Sequence, residues 1–355
     1  MGKEAWCCLG LGMGKEVLGW AWARESQDLR WIFTIEGCWM CWVHSFSPSS
    51  PVLNSIFDLV TVSLISGLII LSVLSLCFIF HLRLKSKSIT HLQGFNSLWS
   101  VRFLLVLLIF LWSMTELLRI PFFRRKYLYP FLPSFAVSHQ ANLCKVHIVL
   151  NLGFFEPAFL LTLLFLLNAS IKKKTPNDAS AITFVLLTCL PIAALQGLLI
   201  FFSPLRNHLP VDTSVALDHG YGFQTVLCAY PFLSSVVFAG FCAAYSTWFI
   251  FSCWRVLTLV INKGLRLRIY ALSAVMLLAL PLQVVALGFT VLWSPQEKLY
   301  GVVSFVGFLS ALCCAITGEG ILVIKPISDA LDAGGNSCGL TPPPPQRAES
   351  GVADV

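Results

Sequence analysis

The chain has 355 residues, 57% of them hydrophobic and only 12% charged, with a mean hydropathy of +0.80. A water-soluble domain needs about a quarter charged residues to cover its surface, so this composition excludes one. A net charge of +7, spread over loops beside apolar runs, excludes a nucleic-acid surface as well.

Lipid tolerates such a surface, and admits only helices or closed barrels across its core. Barrel strands are short and alternate, whereas here the apolar runs reach the helix-spanning length of about 20 residues. The predicted fold is therefore all-α, a polytopic transmembrane helical bundle of seven spans occupying residues 51–325.

Residues 1–50 precede it as a disordered or interfacial tail holding Trp6, Trp20, Trp22, Trp31, Trp39 and Trp42. No apolar core follows a basic start, so a cleavable signal peptide is not expected. Trp6 stands where a myristoylation motif needs Ser or Thr. Met40 is an alternative native start.

The expected spans are 53–80, 102–120, 146–167, 181–202, 225–251, 269–293 and 300–324. Pro191, Pro231 and Pro281 fall inside spans four, five and six. Each removes a backbone donor, which neighbouring helices in a bundle can offset, so they mark kinks. Residues 326–355 form a flexible carboxy-terminal tail with prolines at 342–345.

One set of loops carries Arg83, Lys85, Lys87, Arg102, Lys172, Lys173, Lys174, Arg255, Lys263, Arg266 and Arg268. The other carries the smaller set Arg119, Arg124, Arg125, Lys126, Lys145, Arg206 and Lys298. The richer set is expected in the cytoplasm, of a plasma membrane or endomembrane, with the amino terminus outside and the carboxyl terminus inside. The sequon Asn168-Ala169-Ser170 then lies on the cytoplasmic side, unused.

Glu156, in Gly153-Phe154-Phe155-Glu156-Pro157, falls near the middle of span three. Intramembrane acids are expensive, face bundle interiors and often mark function. Pro157 lacks an N–H, so the Gly153 carbonyl is free and the pair describes a polar notch. Glu156 reads as a ligand counter-ion or proton carrier, with Pro157, Gln196 and Gln283 around it; the structural alternative is an interhelical hydrogen bond.

Glu116 and Arg119 share a helix face three residues apart and are expected to pair as local neutralisation at the outer end of span two. Glu319 is expected to pair with a basic group at the inner interface, and His147 to be interfacial.

Cys144 opens span three and Cys228 opens span five, both on the expected outer, oxidising side. A disulfide between them would tie these spans; the alternative is two separate thiols. Cys38 and Cys41 form a lone C-x-x-C without the second pair that zinc needs. No hydrolase, zinc-protease or phosphate-loop motif occurs, so no enzyme activity, cofactor or metal is expected.

Seven spans, basic inner loops and a Cys at the mouth of span three resemble heptahelical receptors. Three stretches are similar to a group of plant orphan seven-span proteins classed as candidate G-protein-coupled receptors. They are Leu92-Gln93-Gly94-Phe95-Asn96-Ser97-Leu98-Trp99, Arg119-Ile120-Pro121-Phe122-Phe123-Arg124-Arg125, and Gly153-Phe154-Phe155-Glu156-Pro157 through Leu167-Asn168.

Span three nevertheless ends Leu166-Leu167-Asn168-Ala169-Ser170, without Asp/Glu-Arg-Tyr, and span seven ends Leu322-Val323-Ile324-Lys325-Pro326, without Asn-Pro-x-x-Tyr. Span seven also has no buried Lys for retinal. The resemblance implies a membrane protein without specifying its biochemical role; the expectation is a receptor-like or signalling protein, with Arg255, Lys263, Arg266 and Arg268 either docking a cytosolic partner or serving as orienting charge in contact with anionic lipid. The alternatives are a proton-coupled transporter or channel, using Glu156 and the proline-broken spans, and a membrane scaffold or assembly factor.

Overall fold

The computed structural model describes residues 52–86, 98–120, 123–124, 137–169, 178–202, 215–218, 225–259, 263–293 and 298–328. The chain divides into two compact units, Met1–Leu53 and Asn54–Val355. The first contributes only Val52 and Leu53 to the described residues, and the second holds the bundle. The two tails beyond 52 and 328, Cys38 and Cys41, and the loop cations Lys87, Arg125, Lys126, Lys172, Lys173, Lys174 and Arg206 lie outside the described residues.

Among the described residues, seven helical segments are long and apolar enough to cross a bilayer, and the protein is a multi-pass integral membrane protein. Helix α1 is Val52–Ser86 and α2 is Trp99–Arg119. The third span is composite: α3 (Val137–Leu150) enters a π-helical turn, Asn151–Phe155, and leaves as α4 (Glu156–Ala169). Then come α5 (Asp178–Phe202), α6 (Phe232–Leu259), α7 (Lys263–Thr290) and α8 (Lys298–Glu319). A second π turn, Gly320–Ile324, prolongs α8.

Between α5 and α6 the chain forms an antiparallel ribbon of β1 (Val215–Asp218) and β2 (Thr225–Cys228), with Val215 opposite Cys228 and Asp218 opposite Thr225. The expected fifth span, 225–251, is therefore corrected at its start. Residues 225–228 pair as a strand, and the helix begins only after Pro231. Pro231 does not kink this span but opens it. Its carbonyl accepts from the Ser235 N–H at 3.1 Å and the Ser235 hydroxyl at 3.2 Å, satisfying first-turn donors. Pro191 and Pro281 lie inside α5 and α7.

The third span is the most enclosed, and it packs on α2, α5, α6 and α8. Its close approach to α5 depends on Gly153, where a Cβ would come within 3.0 Å of the Ala193 Cα. Leu, Ile and Phe side chains such as Ile70, Leu187, Phe202, Phe251 and Leu278 point outward, as helices facing hydrocarbon require. The basic residues Arg255, Lys263, Arg266 and Arg268 sit on the adjoining ends of α6 and α7 rather than in a long loop.

Candidate functional site

The polar interior is built around the third-span π turn. In an α-helix, residues five apart stand about 140° apart around the axis. The π turn closes that separation, because its bonds join residues i and i+5. Asn151 and Glu156 thereby come onto one side, with the Asn151 amide donating to Glu156 Oε1 at 3.3 Å. The same amide nitrogen donates to Glu116 Oε1 on α2 at 2.6 Å. One buried amide thus links two carboxyl groups.

Each carboxyl has further partners. Glu156 Oε1 also accepts from the Trp112 indole N–H at 3.2 Å, and Oε2 from the Gln283 amide on α7 at 2.6 Å. The indole is fixed by stacking on Phe308 and an edge contact with Phe159. Glu116 Oε2 lies 3.2 Å from Arg119 Nε, and Oε1 lies 3.7 Å from His147 Nε2. Arg119 Nη1 donates to the Tyr230 hydroxyl at 2.8 Å and to Ser304 Oγ on α8 at 3.2 Å. Burial pushes the Tyr230 phenol up, so it meets Arg119 as a neutral hydroxyl.

Among the described residues, Arg119 is the cation in contact with a carboxylate of this cluster, and it touches Glu116 alone. Glu156, 3% exposed, is held by three neutral N–H donors. Unpaired charge in an apolar interior is costly, which makes the hydrogen bonds of this cluster necessary to it. A cavity of about 20 Å³ lies among Trp112, Glu116, Glu156, Tyr230, Gln283 and Ser304, which is room for one water.

Several expected residues stand elsewhere. Gln196 does not join Glu156: its amide donates to the Ser234 carbonyl at 3.0 Å, and the Ser234 hydroxyl donates to its side-chain oxygen. Pro157 follows the π turn as the second residue of α4, buried beside Glu156. Arg119 is not mere surface neutralisation, since from the end of α2 it reaches α8 and the residues before α6. His147 is buried at 4% exposure and not interfacial. Glu319 is wholly buried and receives a hydrogen bond from Ser72 of α1 at 3.1 Å; among the described residues no basic group pairs with it.

Above the cluster, Cys144 and Cys228 form a disulfide with Cα atoms 5.3 Å apart. It joins α3 to the end of β2, and the Tyr300 hydroxyl of α8 donates to the Cys228 carbonyl at 3.0 Å. No group of three or more metal-ligating side chains occurs among the described residues.

Residues 47–337 match the family described as uncharacterised conserved protein UCP031277, which takes in most of the chain. The chain belongs to that family. No curated protein matches it. For this UCP031277 member, Asn151, Trp112, Tyr230 and Ser304 are the site residues that sequence reading misses. Asn151 carries a usable signal, a lone amide in an apolar run five residues before an acid, but α-helical spacing assigns the two to different faces.

Proposed function

We propose that this UCP031277 member is a receptor-like heptahelical signalling protein in which the buried cluster around Glu156 is the switching element. The observation that carries the reading is the continuous polar connection from Arg119 through Glu116, Asn151 and Glu156 to Gln283. It binds α2, the third span and α7, and through Tyr230 and Ser304 it reaches the residues before α6 and α8 itself.

Small-molecule sites enclose about 300–1,000 Å³, so a one-water cavity belongs to a closed arrangement. Signalling then requires a second arrangement in which these contacts part, and a ligand acts by binding one of the two better. The disulfide end supports an amino terminus outside the cell or in an endomembrane lumen, where thiols are oxidised. Arg255, Lys263, Arg266 and Arg268 support a cytoplasmic opposite end, where a cytosolic partner would dock. The likeness to plant orphan seven-span proteins agrees with this reading. The absent rhodopsin-like motifs leave the partner as a cytosolic protein without specifying a G protein.

The test is the distance between spin labels at the basic ends of α6 and α7 in reconstituted protein. Glu156→Gln keeps the shape but removes the ionisable group, so it should populate a second distance. Identical distributions in both proteins, with folding intact, would remove the switch.

The two carboxyls sharing Asn151 beside a water-sized cavity favour one further reading, proton-coupled transport. Vesicles containing the protein would then acidify down an imposed gradient, and Glu156→Gln would stop it. Should Glu156→Gln change neither readout, Glu156 is structural and a scaffold role is left.

A further inference from the structure

A second concavity lies apart from the Glu156 cluster, at the basic end of the bundle, between α4, α5 and α6. It has a volume of about 660 Å³. We propose that this groove seats one anionic glycerophospholipid, with its phosphate against Arg255 and an acyl chain along the aromatic wall.

Each of the three helices sorts its side chains in the same direction. Along α6, Trp248 and Phe251 come first, then Ser252 and Arg255, so Arg255 stands about 10 Å nearer the membrane surface than Trp248. Along α4, Leu164 precedes Asn168 by one turn. α5 runs the opposite way, and Ser180 precedes Phe184. The apolar groups therefore face the bilayer core and the polar groups the interface, matching the chain and head of a lipid.

The walls are built for this. The Phe184 and Trp248 rings meet edge to face with centroids 6.4 Å apart, closing the floor between α5 and α6. Trp248 and Phe251 are 54% and 69% exposed, so the groove opens sideways toward hydrocarbon. At the polar end, the Asn168 amide donates to Ser252 Oγ at 3.2 Å and to the Leu164 carbonyl at 3.1 Å.

Charge decides the headgroup. Among the described residues, Arg255 is exposed and forms no ion pair, and no acidic side chain lines the groove. Lys263 and Arg266 are exposed on the same end of the bundle and add to the positive field. Basic pockets between spans at this depth recognise anionic headgroups. A water-soluble anion would satisfy Arg255 but leave the aromatic wall unused. The inference is independent of any signalling role.

The test uses the full chain, purified in detergent, stripped of lipid and titrated in native mass spectrometry. Phosphatidylserine and phosphatidylcholine with identical acyl chains are compared, alongside glycerol 3-phosphate. One interfacial Arg predicts about a fivefold preference for phosphatidylserine. R255Q should bring the two lipids close to parity, K263Q should lower the preference far less, and W248A should weaken both lipids.

Equal binding of both lipids to the wild type overturns the proposal. So does a preference that survives R255Q, or one that K263Q removes equally, since either means diffuse surface charge. Glycerol 3-phosphate competing as well as the lipid would overturn the acyl seat.

Discussion

Removing the charge of Arg119 tests the buried cluster most directly. Arg119 Nε and Glu116 Oε2 are 3.2 Å apart, and Glu116 is 2% exposed. At an effective dielectric of about 20, unit charges at that separation attract by about 5 kcal/mol, which caps their coupling. Arg119→Gln leaves Glu116 charged and buried with only neutral partners, a change that costs about 3–5 kcal/mol. It also loses contacts to Tyr230 and Ser304, worth about 0.6 kcal/mol each in membrane proteins.

Glu116→Gln is the milder change, at about 2–3 kcal/mol, because the Arg119 side chain is 15% exposed and keeps both hydroxyl partners. The double variant removes both charges and should cost no more than about 3 kcal/mol, well below the sum of the singles. Reversible unfolding in bicelles, read by steric trapping, gives all three values. Additivity within about 0.5 kcal/mol would refute the coupling, and the description of the cluster as one unit with it.

Four further outcomes follow from the packing. Gly153→Ala should destabilise by about 1–3 kcal/mol, because its Cβ meets the Ala193 Cα on α5 at 3.0 Å. Gly67→Ala, with nothing within 4 Å, should be neutral or stabilise by up to about 1 kcal/mol, and detergent melting curves separate the two. Cys144→Ser with Cys228→Ser should cost about 2–4 kcal/mol, and a non-reducing peptide map of the native chain should show the two peptides linked. Deglycosylation should leave gel mobility unchanged, since the Asn168 side chain is bonded to Ser252 within the bundle; a mobility shift would reverse the proposed orientation.

The spans are legible in the sequence because hydrocarbon burial needs long apolar runs, and those runs mark themselves. Span five shows the limit. Residues 225–231 are apolar enough to read as helix, yet β1 supplies strand partners and Pro231 withholds a donor, so the helix waits for Phe232. The acid at 156 is legible through its cost in lipid, as is the Glu116–Arg119 pairing through its spacing. Asn151 is not, because the π turn changes the angular step on which face assignment depends. Nor is Gln196 placed correctly, since mid-span depth is readable and choice of partner helix is not. Tyr230 and Ser304 are ordinary residues that acquire meaning only when Arg119 reaches them.

The Cys144–Cys228 bridge, with Tyr300 bonded to the Cys228 carbonyl, clamps one rim of the bundle. Helices pinned at one rim behave as levers. The 28 residues of α6 extend about 42 Å, so a tilt of about 5° about the clamp carries its far tip about 4 Å. Any such displacement would be largest at the Arg255-bearing tip of α6 and smallest at the pinned rim.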